Sequence, residues 1–290
     1  MAKPGPKYIS SPEAARILGV NVSSIKRWTD CGELACIRTA GGHRKFLLKH
    51  LVEFAHDHQK VAQQANLLPL DTPGDREISY YTQKGDYSFL VPWVQARALE
   101  GEYGQVQCVL LSLYLTQHEL HEIYDLLITP VLHSIGELWA EGTITIVEEH
   151  LVSQRLKDGL IRLQEIVHLP ERTNQRALCL NLSEELHDIP LKMVQHLLEE
   201  KGYQVYFSGQ KTPVNQIEKV FTTFKPDRVY ISSVYSDDPE RDQTELDHIF
   251  NVCKETGATV FVGGRGFDTL NYRHPAVRCR LDNFADVASS

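Results

Sequence analysis

Past Arg176 the sequence keeps a single rhythm, and that rhythm restricts the available folds more than any other feature of the chain. Apolar runs of buried-strand type occur at Ala177-Leu178-Cys179-Leu180-Asn181-Leu182, Val205-Tyr206-Phe207, Arg228-Val229-Tyr230-Ile231-Ser232, Thr259-Val260-Phe261-Val262 and 277–281. Helical stretches from Ile189, over 215–224 and over 238–255 separate them. Strand alternating with helix predicts parallel strands joined by crossovers, an open doubly wound α/β sheet. Such a sheet binds ligands beyond the carboxyl ends of its strands, where the strand order reverses.

The preceding part of the chain reads differently. From about Gly85 to Val167, Leu120, Ile123, Leu126, Leu127, Val131, Leu132, Ile135 and Leu138 recur near the helical period. Four helices, roughly 86–100, 103–116, 118–140 and 145–167, suffice for a small bundle. Residues 60–75 lose periodicity and gather Pro69, Pro73 and Gly74, which predicts a linker. The expected division is therefore 1–60, a linker over 61–84, a helical bundle over 85–170 and the sheet over 171–290.

The first 60 residues carry ten Lys/Arg against five Asp/Glu, a charge of +5, while the other 230 carry −13 of the total −8. A basic head on an acidic body suggests that only the head meets phosphate. Ser11-Pro12-Glu13, with Ser10 three residues before Glu13, signals a helix start, and Gly19 ends that helix. A second helix opens at Val22-Ser23-Ser24, which together with the first makes a helix-turn-helix. Residues 34–38 and 43–46 flank Thr39-Ala40-Gly41-Gly42 as a β-hairpin wing, and a helix from Leu47 to about His58 closes a core that includes Trp28.

The string from Tyr8 through Gly41-Gly42-His43-Arg44-Lys45-Phe46 resembles the winged helix of the MerR and excisionase group. That resemblance implies a second helix in the major groove of double-stranded DNA and a wing along the backbone or minor groove. It carries the DNA-facing role onto Ser24, Lys26, Arg27, Arg38, His43, Arg44 and Lys45. Arg and Lys suit the task because they neutralise phosphate, and Arg forks onto guanine.

Other classes are excluded or disfavoured by composition. No run of ~18 apolar residues predicts a membrane span. The stretch MAKPGPKYISSPEAARI lacks the apolar core of a secretory signal. Six cysteines without a CxxC pair argue against a zinc cluster or a disulfide scaffold. A cytoplasmic protein that is not an enzyme is expected.

The loops at the strand ends hold the chemistry. Glu185-Leu186-His187-Asp188-Ile189-Pro190 follows the first strand, Gly209 and Thr212-Pro213 the second, Ser232-Ser233-Val234 the third and Gly263-Gly264 the fourth. Imidazole is a good cobalt or iron ligand, and a carboxylate on its other nitrogen raises its basicity. A surface His and an ordinary Gly-Gly turn in a flavodoxin-like domain are the plain alternative.

The three elements in this order resemble the cobalamin-binding domain of methionine synthases, mutases and corrinoid proteins, with its Glu/Asp-x-His-x-x-Gly, Ser-x-Leu and Gly-Gly. The resemblance implies a flavodoxin-like (Rossmann-type) fold in which His187 is the lower axial ligand of cobalt. Asp188 is the expected acidic neighbour of its imidazole. Glu185, Thr212, Ser232, Gly263 and Gly264 complete the cofactor-binding set on the sheet. Pro190 departs from the pattern by standing where the motif has Gly.

In the helical segment Trp139 precedes Glu149-His150 with nine residues between. This spacing resembles the Trp-x9-Glu-His signature of the CarH/LitR-type light-responsive regulators, cobalamin-dependent repressors of the MerR family. There a four-helix bundle caps adenosylcobalamin, which implies that Trp139 packs on the adenosyl group while Glu149 and His150 approach it. Members of the family have His directly after the Trp, and Ala140 stands there in this chain. The resemblance implies a light-responsive repressor, a homo-oligomer (a tetramer in the dark) on operator DNA, released when light cleaves the Co–C bond. Pro190 and Ala140 keep open a regulator without light or cobalamin dependence, and a corrinoid methyl-carrier subunit would not need the basic wing.

Overall fold

The computed structural model describes residues 8–290, so the stretch before Tyr8 lies outside the described residues. The chain forms two compact units, the first running to His168 and the second over Leu169–Ser290.

The first unit opens with β1 (Ile9–Ser10), α1 (Ser11–Ile17) and α2 (Val22–Asp30), followed by β2 (Ile37–Arg38), β3 (Arg44–Phe46) and α3 (Leu48–Asp57). The N-cap of α1 is Ser10 rather than Ser11, and its hydroxyl accepts the Glu13 N–H at 3.4 Å. The hairpin gains a strand that the sequence did not announce: the sheet order is β1-β3-β2, antiparallel throughout. Ala14, Ile17, Leu18, Ile25, Leu34, Phe46, Leu51 and Phe54 are buried and form the core of the head. Trp28 is half-buried and lies 4.6 Å from the Phe54 ring.

The expected linker over 61–84 is largely structured. Residues Gln59–Ala62 form α4 and Pro73–Lys84 form α5, where Thr72 caps the helix in a reciprocal box with Asp75. Ile78, Ser79 and Thr82 are buried, so α5 joins the bundle instead of hanging outside it. The polar sequence 71–77 concealed this, because its Pro73 and Gly74 serve a helix start rather than a loop. Asn66 fastens the turn between head and bundle: its N–H reaches the Ile17 carbonyl (2.7 Å) and its Nδ2 donates to Ser79 Oγ (2.8 Å). Gln117, at φ +67°, donates from Nε2 to the carbonyls of Ala55 (3.0 Å) and His56 (3.1 Å), the last turn of α3.

The remaining helices follow the expected spans closely: α6 (Tyr87–Glu100), α7 (Tyr103–Leu115), α8 (Leu120–Ile123), α9 (Thr129–Ala140) and α10 (Ile146–Gln164). A π-helical turn over Tyr124–Ile128 joins α8 to α9. Pro130 accounts for its position. Proline has no N–H for the Leu126 carbonyl and crowds it, so the Thr129 N–H reaches back five residues to Tyr124.

The second unit is a five-stranded parallel sheet of β4 (Arg176–Asn181), β5 (Gln204–Phe207), β6 (Arg228–Ser232), β7 (Thr259–Gly263) and β8 (Val277–Leu281). Between and after them come α11 (Ile189–Glu200), α12 (Ile217–Phe224), α13 (Pro239–Thr256) and α14 (Phe284–Ser289). The strand order β5-β4-β6-β7-β8 is the flavodoxin-like order, with its reversal between β4 and β6. Leu180, Val229, Ile231, Phe250 and Val260 are buried in its core. No helix among the described residues is long and apolar enough to cross a membrane.

Candidate cofactor site and nucleic-acid interface

The DNA-facing residues expected from sequence lie on α2 and the wing. Lys26, Arg27, Arg38 and His43 are exposed; Ser24, Arg44 and Lys45 are half-buried. Ile25 faces the core, so the cations beside it on α2 point outward as the helical period requires. Arg38 and Arg44 both donate to one oxygen of Asp30, at 2.9 and 2.6 Å.

On the sheet, the loop after β4 turns back over the point where the strand order reverses. Glu185 is buried there, and it is the hub of the site. Its Oε1 accepts the His187 backbone N–H (2.8 Å) and the His187 ring at Nδ1 (2.6 Å). Its Oε2 accepts the Val234 N–H (2.7 Å) and the Tyr235 N–H (3.4 Å) from the loop after β6. Burial pushes the Glu185 carboxyl up, but the His187 and Val234 hydrogen bonds outweigh it and hold the group below its ordinary range. An ionised carboxylate only accepts, so Nδ1 is the donor of this hydrogen bond, and the tautomer it selects carries its lone pair on Nε2.

This corrects the expected pairing: the acidic neighbour of the imidazole is Glu185, not Asp188. Asp188 is buried at the start of α11, where its carboxylate accepts from Gln210 Nε2 at 3.3 Å. The reason is geometric. Glu185 Oε1 takes both the backbone N–H and the ring of His187, whereas Asp188 is the N-cap residue of α11. Pro190 falls in the first turn of α11, where a backbone N–H has no helical partner to lose, so the proline is accommodated.

The other strand ends converge on the same edge. Asn181, Ser232 and Gly263 stand side by side in register at the ends of β4, β6 and β7. Thr212 donates to Ser208 Oγ at 2.9 Å beyond β5. Gly264 has φ +98°, and a Cβ there would press into the Ser233 carbonyl, so part of the Gly-Gly signal is a packing need. Sequence reasoning missed Asn181: it is fully buried, yet neither side-chain oxygen nor nitrogen finds a hydrogen-bond partner. The available signal was a polar residue closing an otherwise apolar strand. A buried orphan amide costs free energy unless a ligand satisfies it.

In the bundle, Trp139 ends α9 and is 49% exposed. Glu149 lies in the first turn of α10 and His150 directly follows it, with Nδ1 of His150 2.9 Å from Glu149 Oε2 and 2.7 Å from the Ile146 carbonyl. Ser153 Oγ donates to Glu149 Oε1 at 2.6 Å, which orients that carboxylate. Ile146, Val147 and Leu151 beside them are exposed, an apolar surface around a polar pair. Among the described residues no group of three or more His, Cys, Asp or Glu could hold a metal ion.

Comparison with known proteins agrees with this division of labour. A helix-turn-helix domain model matches residues 8–59, and a B12 binding domain model matches residues 99–164, the helices that carry Trp139, Glu149 and His150. The fold resembles that of the monomethylamine corrinoid protein of Methanosarcina barkeri, at 10% identity and a TM-score of 0.57, covering 70% of this chain and 96% of that one. A DNA-binding head and a B12-binding segment on one chain define a B12-binding transcriptional regulator. The chain is 28% identical over 263 residues, 87% of each protein, to the HTH-type transcriptional repressor CarH of Myxococcus xanthus. That likeness to a CarH-type repressor runs over most of the chain, the helices that carry the Trp-x9-Glu-His spacing among it.

Proposed function

We propose that this regulator is a light-responsive, adenosylcobalamin-binding repressor of the MerR type, a cytoplasmic binding protein rather than an enzyme. In the dark it grips operator DNA as a homo-oligomer, a tetramer, and under light it lets go. Bound adenosylcobalamin supplies a light-labile Co–C bond. The observation that carries the reading is the Glu185–His187 pair at the reversal of the strand order, with Glu185 Oε1 2.6 Å from Nδ1.

His187 Nε2 would hold the cobalt of the bound cofactor, with Glu185 setting the tautomer of the ring and raising its basicity. The orphan Asn181 amide, with Ser232, Thr212, Gly263 and Gly264, supports a polar tail lodged at the strand ends. Trp139, Glu149 and His150 would offer the cofactor an aromatic face and a hydrogen-bonding pair. Lys26, Arg27, Arg38 and His43 meet the duplex, and several linked heads bind more tightly than one.

Ala140 at the end of α9 favours a second reading, a cobalamin-binding regulator that does not respond to light. One experiment separates the two. Protein loaded with adenosylcobalamin in the dark is titrated against DNA selected from a random duplex pool, before and after green illumination. Loss of binding on illumination supports the photoreceptor, and unchanged binding supports the second reading.

A further inference from the structure

Asp30 is the last residue of α2, and a carboxylate at a helix C-terminus faces the negative end of the helix dipole. Nothing in the helix itself calls for an acid there, and a negative charge beside a DNA-binding face repels phosphate. The wing supplies the reason. Arg38 and Arg44 are directly opposite each other in the β2–β3 ladder, an arrangement that sets two cations against one another. Asp30 Oδ1 accepts from both, 2.9 Å from Arg38 Nη2 and 2.6 Å from Arg44 Nη2. The two arginines are not equivalent. The Arg44 side chain is 16% exposed with its Nε sealed from solvent, while that of Arg38 is 51% exposed.

We infer that Asp30 is a positioning residue that locks the wing to the end of the recognition helix through Arg44, leaving Arg38 to exchange Asp30 for a DNA phosphate. This goes beyond the proposed function, and its DNA readout rests on that reading. It also divides the expected DNA contacts: Arg38 meets the duplex, whereas Arg44 sets the angle at which the wing is presented. Asp30 cancels the mutual repulsion of the pair in free protein. When a phosphate takes the outer guanidinium, the inner one keeps the hairpin in place.

The sign of the Asp30 effect is the test. If the carboxylate acts only by its charge, Asp30→Asn tightens DNA binding, because a repulsive charge has gone. The inference predicts the reverse: full-length D30N binds a duplex selected by wild-type protein several-fold more weakly, and Asp30→Glu restores most of the loss. Arg38→Ala should lower the slope of log K against log salt by ~0.9 for each head engaged, and Arg44→Ala should weaken binding with the slope unchanged. Amide exchange at Thr39 and His43, followed without DNA, should speed up in D30N and R44A but not in R38A. Tighter binding by D30N, or wing amides that exchange as in wild type, overturns the inference. If wild-type protein selects no duplex, the DNA-binding reading fails, and the exchange data still decide whether Asp30 locks the wing.

Discussion

Glu185 Oε1 lies 2.6 Å from His187 Nδ1, while its other oxygen accepts backbone N–H groups from the next strand-end loop. One buried carboxylate thus joins the loops after β4 and β6 and fixes which imidazole nitrogen faces outward.

The Glu185 pair has a defined pH dependence. The folded carboxyl is held below its ordinary range, so its contribution is present above that range and is lost as pH falls through the lowered value. Glu185→Gln turns an amide N–H toward donors and should cost roughly 1–3 kcal/mol near neutrality. The Val234 amide should exchange faster in E185Q at neutral pH, with the gap closing in acid. A constant gap across pH would contradict this account of the hydrogen bonds.

His196 on α11 gives a second, separable acid response. Burial, with a smaller push from Lys192, lowers its imidazole to about 3. The unfolded chain takes the proton below ~6.5, so stability is full above that pH and declines toward 3, at most ~1.4 kcal/mol per unit. His196→Gln should flatten that stretch of the stability curve, as measured by denaturant unfolding at a series of pH values. Identical slopes for the two proteins would remove His196 as the cause.

The glycines should differ sharply. Gly142 and Gly264 both have positive φ, but a Cβ at Gly142 meets open space, whereas one at Gly264 meets the Ser233 backbone. Gly142→Ala should cost about 1 kcal/mol, the conformational penalty alone. Gly264→Ala should cost more, roughly 2–4 kcal/mol, because overpacking against backbone adds to strain. Thermal unfolding of the two variants checks the order; equal losses would mean that the β7 loop yields.

Much of this was legible in the sequence. The apolar runs at 177–182, 228–232 and 259–262 became the central strands because an apolar run flanked by helices has few other fates. The 118–140 helix was legible in extent but not in its π turn, since Pro130 sits where a helix interior ordinarily forbids it. Residues 73–84 were missed because a capped, polar-faced helix start uses the same residues as a loop. The Glu-x-His motif was visible, yet the partner of the imidazole was not: sequence adjacency favoured Asp188, and only the turn geometry selects Glu185. Asn181 carried one signal, a polar residue closing an apolar strand, and only the fold shows that its amide is buried without a partner.

Gln117 bears on how the bundle and head are connected. Its two hydrogen bonds close on the last carbonyls of α3, at a backbone conformation that a non-glycine residue adopts only when held there. Gln117→Ala should loosen the head, visible as faster proteolysis within 56–72, while leaving α2 and the wing folded. Unaltered cleavage would show that the junction does not depend on Gln117.

The most direct test of the central claim is the absorbance spectrum of adenosylcobalamin retained by wild-type protein and by His187→Ala after dark incubation and removal of free ligand. The account predicts a retained alkylcobalamin spectrum in wild type and a blue shift toward the base-off form in H187A. No retained cobalamin in wild type, or the same spectrum in both proteins, would contradict the assignment of His187 Nε2 as the cobalt ligand.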